Sequence, residues 1–313
     1  MSTDARNHHY IPQTYLRAFT DGESKKSKFT VYDVDTKKRF ETIPRNVCAV
    51  RDFNRVSIPG IDPNAIESGM GKFESLIAPA VAEIYSKNKF EGKAKNTILN
   101  LIALLAVRHP NRRESMRKFH AQIAKITMSM VLSRPEMYEK ITAKIRSEGK
   151  NEDNVSSYED VKAFFDSDKY EIEVSNESHL HSEETMHETA LPLLAERQWR
   201  LYRANPADGY FITSDHPVSL TWRNPSQIPP LYRHSPGFGM RDTEVLFPLT
   251  KELVLIGTFD GEDGYQDASN FLIAASNSRI VNSCSRQIYS TKRAFSALNH
   301  QMQIIEGADF LKS

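Results

Sequence analysis

Two adjacent histidines near the start of the chain, His8 and His9, are the first residues whose type and spacing point to chemistry. An imidazole titrates near neutral pH, so it can act as a general base or as a metal ligand. Adjacent side chains on an irregular segment point in different directions, so we expect at most one of them to face a site, and His9 is the candidate. The alternative is that both are ordinary polar residues of an N-terminal segment.

A short helix is predicted to position these histidines. Pro12 suits a first helical turn, where its missing N–H would have no partner in any case. Apolar residues then recur at helical spacing and form one stripe, which consists of Ile11, Tyr15, Leu16 and Phe19. The histidines are therefore expected at the mouth of this helix, where the chain turns.

A second candidate site is the segment Thr213–Pro217, which follows a predicted strand. Loops at strand ends commonly carry polar site groups. Asp215 and His216 together supply either one metal ligand or an acid–base group with its orienting partner. Alternatively, Asp215 forms an ordinary turn and bonds nearby backbone ahead of the proline. Both interpretations remain open from the sequence.

The third candidate is a helix junction with three arginines, Arg108, Arg112 and Arg113. A guanidinium fork fits the oxygens of a phosphate, although a solvated helix start would have the same composition. Arg108 differs from the other two because it ends a nearly all-apolar helix. We expect it to be partly buried and to require a carboxylate partner, for which Glu74 is the candidate.

The remaining histidines and cysteines do not form a recognised metal-binding or catalytic motif. His179, His181 and His187 lie among acidic residues but do not form an HExxH motif, and we interpret them as a polar helix start. The glycine-rich nucleotide motifs and the GxSxG nucleophile motif are absent. Cys48 and Cys284 lie in no CxxC pattern, so we expect free thiols in a reducing compartment.

Composition limits the function classes. The chain has 313 residues, of which 39% are hydrophobic and 26% charged, the balance of a soluble globular protein. Its net charge of +1 gives no global attraction to nucleic acid. The N-terminus lacks an apolar signal core, and the longest apolar run, residues 98–107, is too short to cross a bilayer. We therefore expect a cytoplasmic protein that does not bind a membrane.

The element pattern predicts an α+β fold, in which a mixed or antiparallel sheet accompanies a helical middle region. A β-hairpin is expected over residues 29–43, helices over 66–146, and strands over 199–259. We expect one family-wide domain, 1–313, made of an N-terminal part (1–60), a helical region (61–195) and a strand-rich region (196–313). Further predictions are a strand at 52–56, a polar linker at 148–154, a helix starting at Ser182, a buried strand at 210–214, and core positions at Leu101, Leu104 and Leu105.

The opening motif HHYIPQTYLRAF, residues 8–19, resembles the start of a group of bacterial proteins known as domain-of-unknown-function family 4238. Later segments are similar in the same order, namely Phe73-Glu74, Arg108 to Pro110, Trp199, the TSDHPV segment from Thr213, and Phe247 to Leu249. Many members have asparagine where this chain has His216, which shifts the functional weight to Asp215. The resemblance implies a fold unit that covers nearly the whole chain, and it implies no reaction.

The function hypothesis is a hydrolase of phosphodiesters, nuclease-like or directed at nucleotides, in a bacterial conflict or defence setting. Its predicted catalytic residues are His9, Glu74 and Asp215, and its predicted substrate-binding residues are Arg108, Arg112 and Gln13. A carboxylate pair with a histidine would hold a divalent metal, and arginine would neutralise phosphate.

Two alternatives remain open. One is a non-catalytic module that binds nucleic acid or protein through the arginine-rich junction and the Trp222-Arg223 loop. The other is a buried polar network with a purely structural role. The enzyme hypothesis predicts that His9 and Asp215 face a common cleft with Arg108 paired to Glu74 at its wall.

Overall fold

The computed structural model describes residues 6–147, 156–233 and 236–307. The chain forms two compact units. The first combines both ends of the chain, Met1–Pro110 and Leu180–Ser313, and the second is the segment Asn111–His179. The helical region predicted over 61–195 is therefore divided between the units. The linker predicted over 148–154 lies outside the described residues.

The helices have the following bounds: α1 Gln13–Arg17, α2 Ala65–Lys87, α3 Gly92–Val107, α4 Pro110–Val131, α5 Pro135–Ser147, α6 Tyr158–Asp166, α7 Asn176–Ala195 and α8 Asn270–Ser283. The chain between 66 and 146 is almost entirely helical, as predicted. Within the described ranges, we find no helix with both the length and the apolar character that crossing a bilayer would require.

The strands have the following bounds: β1 Asn7–His9, β2 Phe29–Asp33, β3 Lys38–Thr42, β4 Ala49–Arg51, β5 Gln198–Arg203, β6 Thr213–Ser214, β7 Ser219–Trp222, β8 Thr243–Pro248, β9 Leu253–Thr258, β10 Gly264–Asp267, β11 Gln287–Ser290, β12 Ser296–Leu298 and β13 Ile304–Glu306. The predicted hairpin is confirmed, since β2 and β3 pair antiparallel.

Two sheets contain most of the strands. One has four strands in the order β3-β2-β11-β6, so the N-terminal hairpin joins strands from the far end of the chain. The other has five strands in the order β10-β5-β9-β8-β7, in which only the β10–β5 pair is parallel. Two-stranded pairs of β1 with β4 and β12 with β13 complete the described sheets. The predicted α+β class is confirmed.

Helix α3 is central to the first unit because it is apolar on nearly all sides. Ile98, Leu101 and Ile102 are fully buried, and Leu105 is nearly so. Leu104, which we also expected in the core, is only half-buried. Because α3 has core on so many of its faces, the residue that ends it, Arg108, is also buried.

Trp199 shows how closely the five-stranded sheet packs. It lies on β5 opposite Gly257 of β9, and its indole N–H donates to the Leu194 carbonyl at 2.9 Å. A Cβ at position 257 would lie 2.9 Å from three ring carbons. Glycine is therefore required at this position by a close approach rather than by backbone conformation.

Helix α1 is fixed to the sheets by one aromatic residue, Tyr15. Its ring stacks on Phe247 with centroids 5.2 Å apart, and its hydroxyl donates to the Pro248 carbonyl at 2.8 Å. The same hydroxyl contacts the Thr213 Oγ1 at 2.8 Å. The opening helix is consequently held against the strands β6 and β8, which lie about two hundred residues further along the chain.

Several local predictions were wrong. Residues 52–56 form a turn rather than a strand, since Asp52 adopts a left-handed backbone conformation with φ 57°. The helix predicted from Ser182 begins at Asn176, and the strand predicted over 210–214 is reduced to β6. The sequence reading also missed β10, β12 and β13, which are short or partly exposed.

The central position of α3 gives a stability prediction. Leu101→Ala is expected to lower the free energy of unfolding by about 2–5 kcal/mol, because it opens a cavity among fully buried neighbours. Leu104→Ala on the same helix is the matched control and should cost less, since that side chain is half-buried. Urea unfolding of both variants measures the difference, and equal losses would contradict the central placement of α3.

Candidate functional site

The two histidines of the opening motif point in opposite directions, as expected for neighbours on a strand. Both lie on β1, which pairs antiparallel with β4. His8 is fully buried, and its Nδ1 accepts the backbone N–H of Asn54 at 2.9 Å. His9 is only half-buried. His8 therefore supports the architecture, and His9 is the histidine that a ligand could approach.

Asn54 connects several parts of this region. Its buried side-chain amide donates to Glu67 of α2, and its carbonyl oxygen accepts from the Arg108 guanidinium. Its backbone N–H is the group bound by His8. One fully buried asparagine thus links the opening strand, helix α2 and the end of helix α3. The turn at 52–56 that replaces the predicted strand is what places Asn54 there.

Arg108 is buried, as predicted, and its exposed fraction is 3%. Its guanidinium carbon lies 5.3 Å from the centroid of the Phe53 ring. Its Nε is 4.0 Å from a carboxylate oxygen of Glu183, on helix α7. The predicted pairing with Glu74 is wrong, because Glu74 forms no ion pair within the described residues. Arg108 therefore holds the site together and is not available to grip a substrate.

Two of the three glutamates of helix α2, Glu67 and Glu74, lie seven residues apart on one face. Both are half-buried. Gly71 lies between them on that face, and a Cβ built there would meet open space. The two carboxylates are therefore separated by an unfilled part of the helix surface.

Glu74 is the most unusual residue in this region. Its carboxylate makes no hydrogen bond and no ion pair with any described residue, yet its side chain is half-buried. Burial raises the pKa of Glu74, and the charge of Glu67 raises it further, whereas the charges of Arg108 and Arg17 act in the opposite sense. Neither carboxylate oxygen is sealed from solvent. Glu74 thus combines a raised pKa with an accessible, uncommitted carboxylate.

His9 lies near Glu67, and its hydrogen bonds are those of a neutral ring. Its Nε2–H donates to the Arg45 carbonyl at 3.2 Å, and its Nδ1 accepts from the Gln13 side chain at 3.4 Å. Burial lowers the pKa of His9, while the Arg45 carbonyl and the charge of Glu67 favour the protonated ring. Gln13, predicted to bind substrate, therefore orients His9 in this structure.

Asp215 lies in a different environment. Its carboxylate is buried and accepts three backbone N–H groups, from Ser285 at 2.8 Å, Arg286 at 2.8 Å and Gln287 at 3.0 Å. Burial raises the pKa of Asp215, and these three amides lower it. Because its carboxylate is committed to backbone amides about seventy residues further along the chain, the geometry gives Asp215 a structural role, but through these distant amides and not through the predicted local turn. Asp215 anchors the start of β11.

The surroundings of Asp215 are largely buried and aromatic. The Cys48 thiol lies 3.0 Å from the Tyr289 hydroxyl, and burial raises the pKa of Cys48 to about 12. The His109 ring packs against Tyr10 at 5.3 Å and His216 at 5.6 Å between centroids. Burial lowers the pKa of His109 to about 4, with His216 adding to the effect. The structure thus places Asp215 among these residues, whereas His9 and Glu74 each lie near Glu67.

The remaining predictions concern arginines, metal ligands and cysteines. Arg112 is exposed on α4 in the second unit. Arg223 forms an ion pair with Asp260, and the Trp222 indole N–H donates to the Tyr232 carbonyl at 3.0 Å. In the part of the chain that the structure describes, no three His, Cys, Asp or Glu residues are arranged to hold a metal ion. Cys48 and Cys284 are free thiols, as expected.

Three residues of this region escaped the sequence reading, namely Asn54, Glu67 and Arg17. A signal existed for Glu67, since its seven-residue spacing from Glu74 on a predicted helix already places both carboxylates on one face. No signal existed for Asn54, whose segment was read as a strand. Arg17 lies inside the opening motif, but only the packing of α1 against α2 shows that its charge acts on Glu74.

The opening motif, the segment from Arg108 to Pro110 and the TSDHPV segment all lie in the first unit, in the order expected from the sequence resemblance. The chain belongs to the family described as Protein of unknown function (DUF4238). That family model matches residues 7–294, which is nearly the whole chain. No curated protein and no solved structure matches the chain.

The environment of Glu74 predicts a pH-dependent stability. Because its pKa is raised on folding, the folded state binds this proton more tightly than the unfolded chain. The resulting stability is complete below the ordinary pKa of 4.5 and is lost as pH rises through the raised pKa. Glu74→Gln should therefore unfold at a higher temperature than the wild type near neutral pH, and the difference should vanish below pH 4.5.

Glu83→Gln is the matched control for this experiment, because Glu83 lies on the same helix, is exposed and pairs with Lys87. Differential scanning calorimetry over the pH range measures all three proteins. A lower midpoint for Glu74→Gln at neutral pH would show that the carboxylate is stabilised by a partner, against the structure.

Proposed function

We propose that this protein is a phosphodiester-directed hydrolase in which Glu74 is the general acid–base group. The observation that carries this proposal is the half-buried carboxylate of Glu74, which has a raised pKa and no bonding partner among the described residues. A carboxyl group whose pKa is raised by burial is suited to protonate a leaving oxygen. Structural carboxylates, such as that of Asp215, have their acceptor sites filled instead.

The charges near Glu74 favour a phosphate ester as the substrate over an acyl or glycosyl compound. Arg17 and Arg108 both place positive charge close enough to lower the pKa of Glu74. Arg108 is committed to Asn54 and Glu183, which leaves Arg17 as the cation able to contact a phosphoryl oxygen. His9, neutral and oriented by Gln13, is the second group able to move a proton.

The proposal does not require a divalent metal, and the assays below test whether one is needed. Glu67 and Glu74 present the carboxylate oxygens that Mg²⁺ and Mn²⁺ prefer, and an incoming substrate phosphate would add further oxygen ligands. The nuclease-like activity and the conflict or defence setting stay predictions from the sequence. Asp215, the third predicted catalytic residue, has no part in the proposed chemistry.

The test uses two phosphodiesters with different leaving groups. The dinucleoside phosphate ApA releases an alkoxide, which needs a proton, whereas bis-p-nitrophenyl phosphate releases a phenolate, which leaves without one. Glu74→Gln is expected to lower kcat for ApA by about 10²–10⁴-fold, the usual contribution of general acid–base catalysis, and to affect the nitrophenyl ester much less. Both assays are run with Mg²⁺, with Mn²⁺ and with chelator.

Glu83→Gln serves as the control on the same helix and should retain full activity. Equal losses on the two esters would show that Glu74 acts by positioning or by holding a metal, and not as the acid. No Glu74-dependent hydrolysis of either ester under any of the three conditions would reject the hydrolase proposal.

A further inference from the structure

A pocket of about 480 Å³ opens in the first unit beside helix α1. Helix α1, helix α2 and the turn between β8 and β9 form its walls. The volume falls within the range typical of small-molecule sites, roughly 300–1,000 Å³. The pocket follows α2 from Ile77 to Tyr85, which corresponds to about 12 Å at the helical rise per residue. It is thus long enough for a mononucleotide and too small for a nucleic-acid duplex.

Arg17 supplies a cation to this pocket. Its guanidinium donates to the Gln13 carbonyl at 3.3 Å and to the Thr14 Oγ1 at 2.8 Å. Across the described ranges no carboxylate oxygen lies within 4.0 Å of it. Its Nη1 takes part in neither bond, so part of the guanidinium fork remains available. A half-buried arginine without a carboxylate partner is suited to bind an anion.

The other charged groups of the pocket are already engaged. The Lys251 ammonium lies 2.9 Å from Glu23 and donates to the Thr20 carbonyl at 3.1 Å. Glu252 accepts from the Tyr85 hydroxyl through one carboxylate oxygen, at 2.8 Å. Arg17 is consequently the cation that an incoming anion would meet, and the second carboxylate oxygen of Glu252 stays available as an acceptor.

Between these polar ends, the pocket wall is apolar and includes one aromatic ring. Val81 and Ala82, about one turn before Tyr85 on α2, line it. Tyr85 is 43% exposed, and its ring is held in place from outside the pocket lining by the Arg203 guanidinium, 3.9 Å from the ring centroid. An exposed, fixed aromatic ring is a surface on which a heteroaromatic base stacks.

We infer that this pocket binds a nucleoside monophosphate, with the phosphate at Arg17, the sugar along Val81 and Ala82, and the base against Tyr85. An N–H group on the base would donate to the available oxygen of Glu252. The inference deepens the proposed function and rests on it for the role of the pocket, because AMP is one product when ApA is hydrolysed. Binding itself requires no turnover, so it can be measured separately.

The experiment is isothermal titration calorimetry of the full chain with AMP, adenosine and ribose 5-phosphate. AMP should bind saturably, and each of the two fragments should bind at least about tenfold more weakly, because each lacks one of the two anchoring contacts. Arg17→Gln should weaken AMP binding at least tenfold and leave the affinity for adenosine unchanged. Ala82→Leu should weaken AMP binding as strongly, because the larger side chain would occupy part of the pocket. The helix should tolerate this change, since leucine is a good helix former and position 82 is exposed.

Arg39→Gln, an exposed arginine on the hairpin strand β3, is the matched charge control and should bind AMP like the wild type. The unfolding midpoint of each variant is measured in parallel. If the Arg17→Gln variant has a lower unfolding midpoint than the wild type, the AMP affinity of Ala82→Leu decides whether the pocket binds AMP.

Several results would overturn the inference. These are no saturable binding of AMP to the wild type, adenosine or ribose 5-phosphate binding as tightly as AMP, or equal AMP affinity in wild type and Ala82→Leu. AMP binding without ApA hydrolysis would reject the hydrolase and keep the pocket. Glu74-dependent ApA hydrolysis without AMP binding would reject the pocket and keep the hydrolase.

Discussion

The burial of Arg108 is the constraint on which the polar interior of the first unit depends. Helix α3 is apolar on nearly every side, and the guanidinium at its end is removed from water together with it. A buried charge costs several kcal/mol unless hydrogen bonds and an opposite charge compensate it. Here the carbonyl of Asn54, the carboxylate of Glu183 and the ring of Phe53 provide that compensation. The negative end of the α3 dipole lies at the same position and favours a cation there.

The same constraint arranges the candidate site. Asn54 is fully buried, so its amide N–H₂ needs an acceptor in addition to the bond that its oxygen accepts from Arg108, and Glu67 provides that acceptor. The backbone N–H of Asn54 donates to His8 and so fixes the position of strand β1. The next residue, His9, therefore lies on the opposite side of the strand. Glu74 is left outside this chain of bonds, two helical turns beyond Glu67. Glu74 thus lies on the same helix as this hydrogen-bonded network but is not bonded to it, and a half-buried carboxylate without such bonds is a candidate functional group.

Helix α1 connects this network to the pocket. It is only five residues long, and Tyr15 fixes it to the sheets through a stacked ring and two hydroxyl contacts. Gln13 at the start of the helix orients His9, and Arg17, one turn later, lines the pocket and acts on Glu74. A displacement of α1 would therefore change the histidine, the acid and the anion site together.

The sequence by itself determined the α+β class, the helical middle region, the burial of Arg108 and the divergence of His8 from His9. These features follow from periodicity and local geometry, which act over a few residues. Tertiary structure alone decided which partner each charge found. Glu183 rather than Glu74 pairs with Arg108, and backbone amides rather than a ligand occupy Asp215. Such pairings depend on the desolvation of groups that are far apart in the chain, and a linear pattern does not encode that distance.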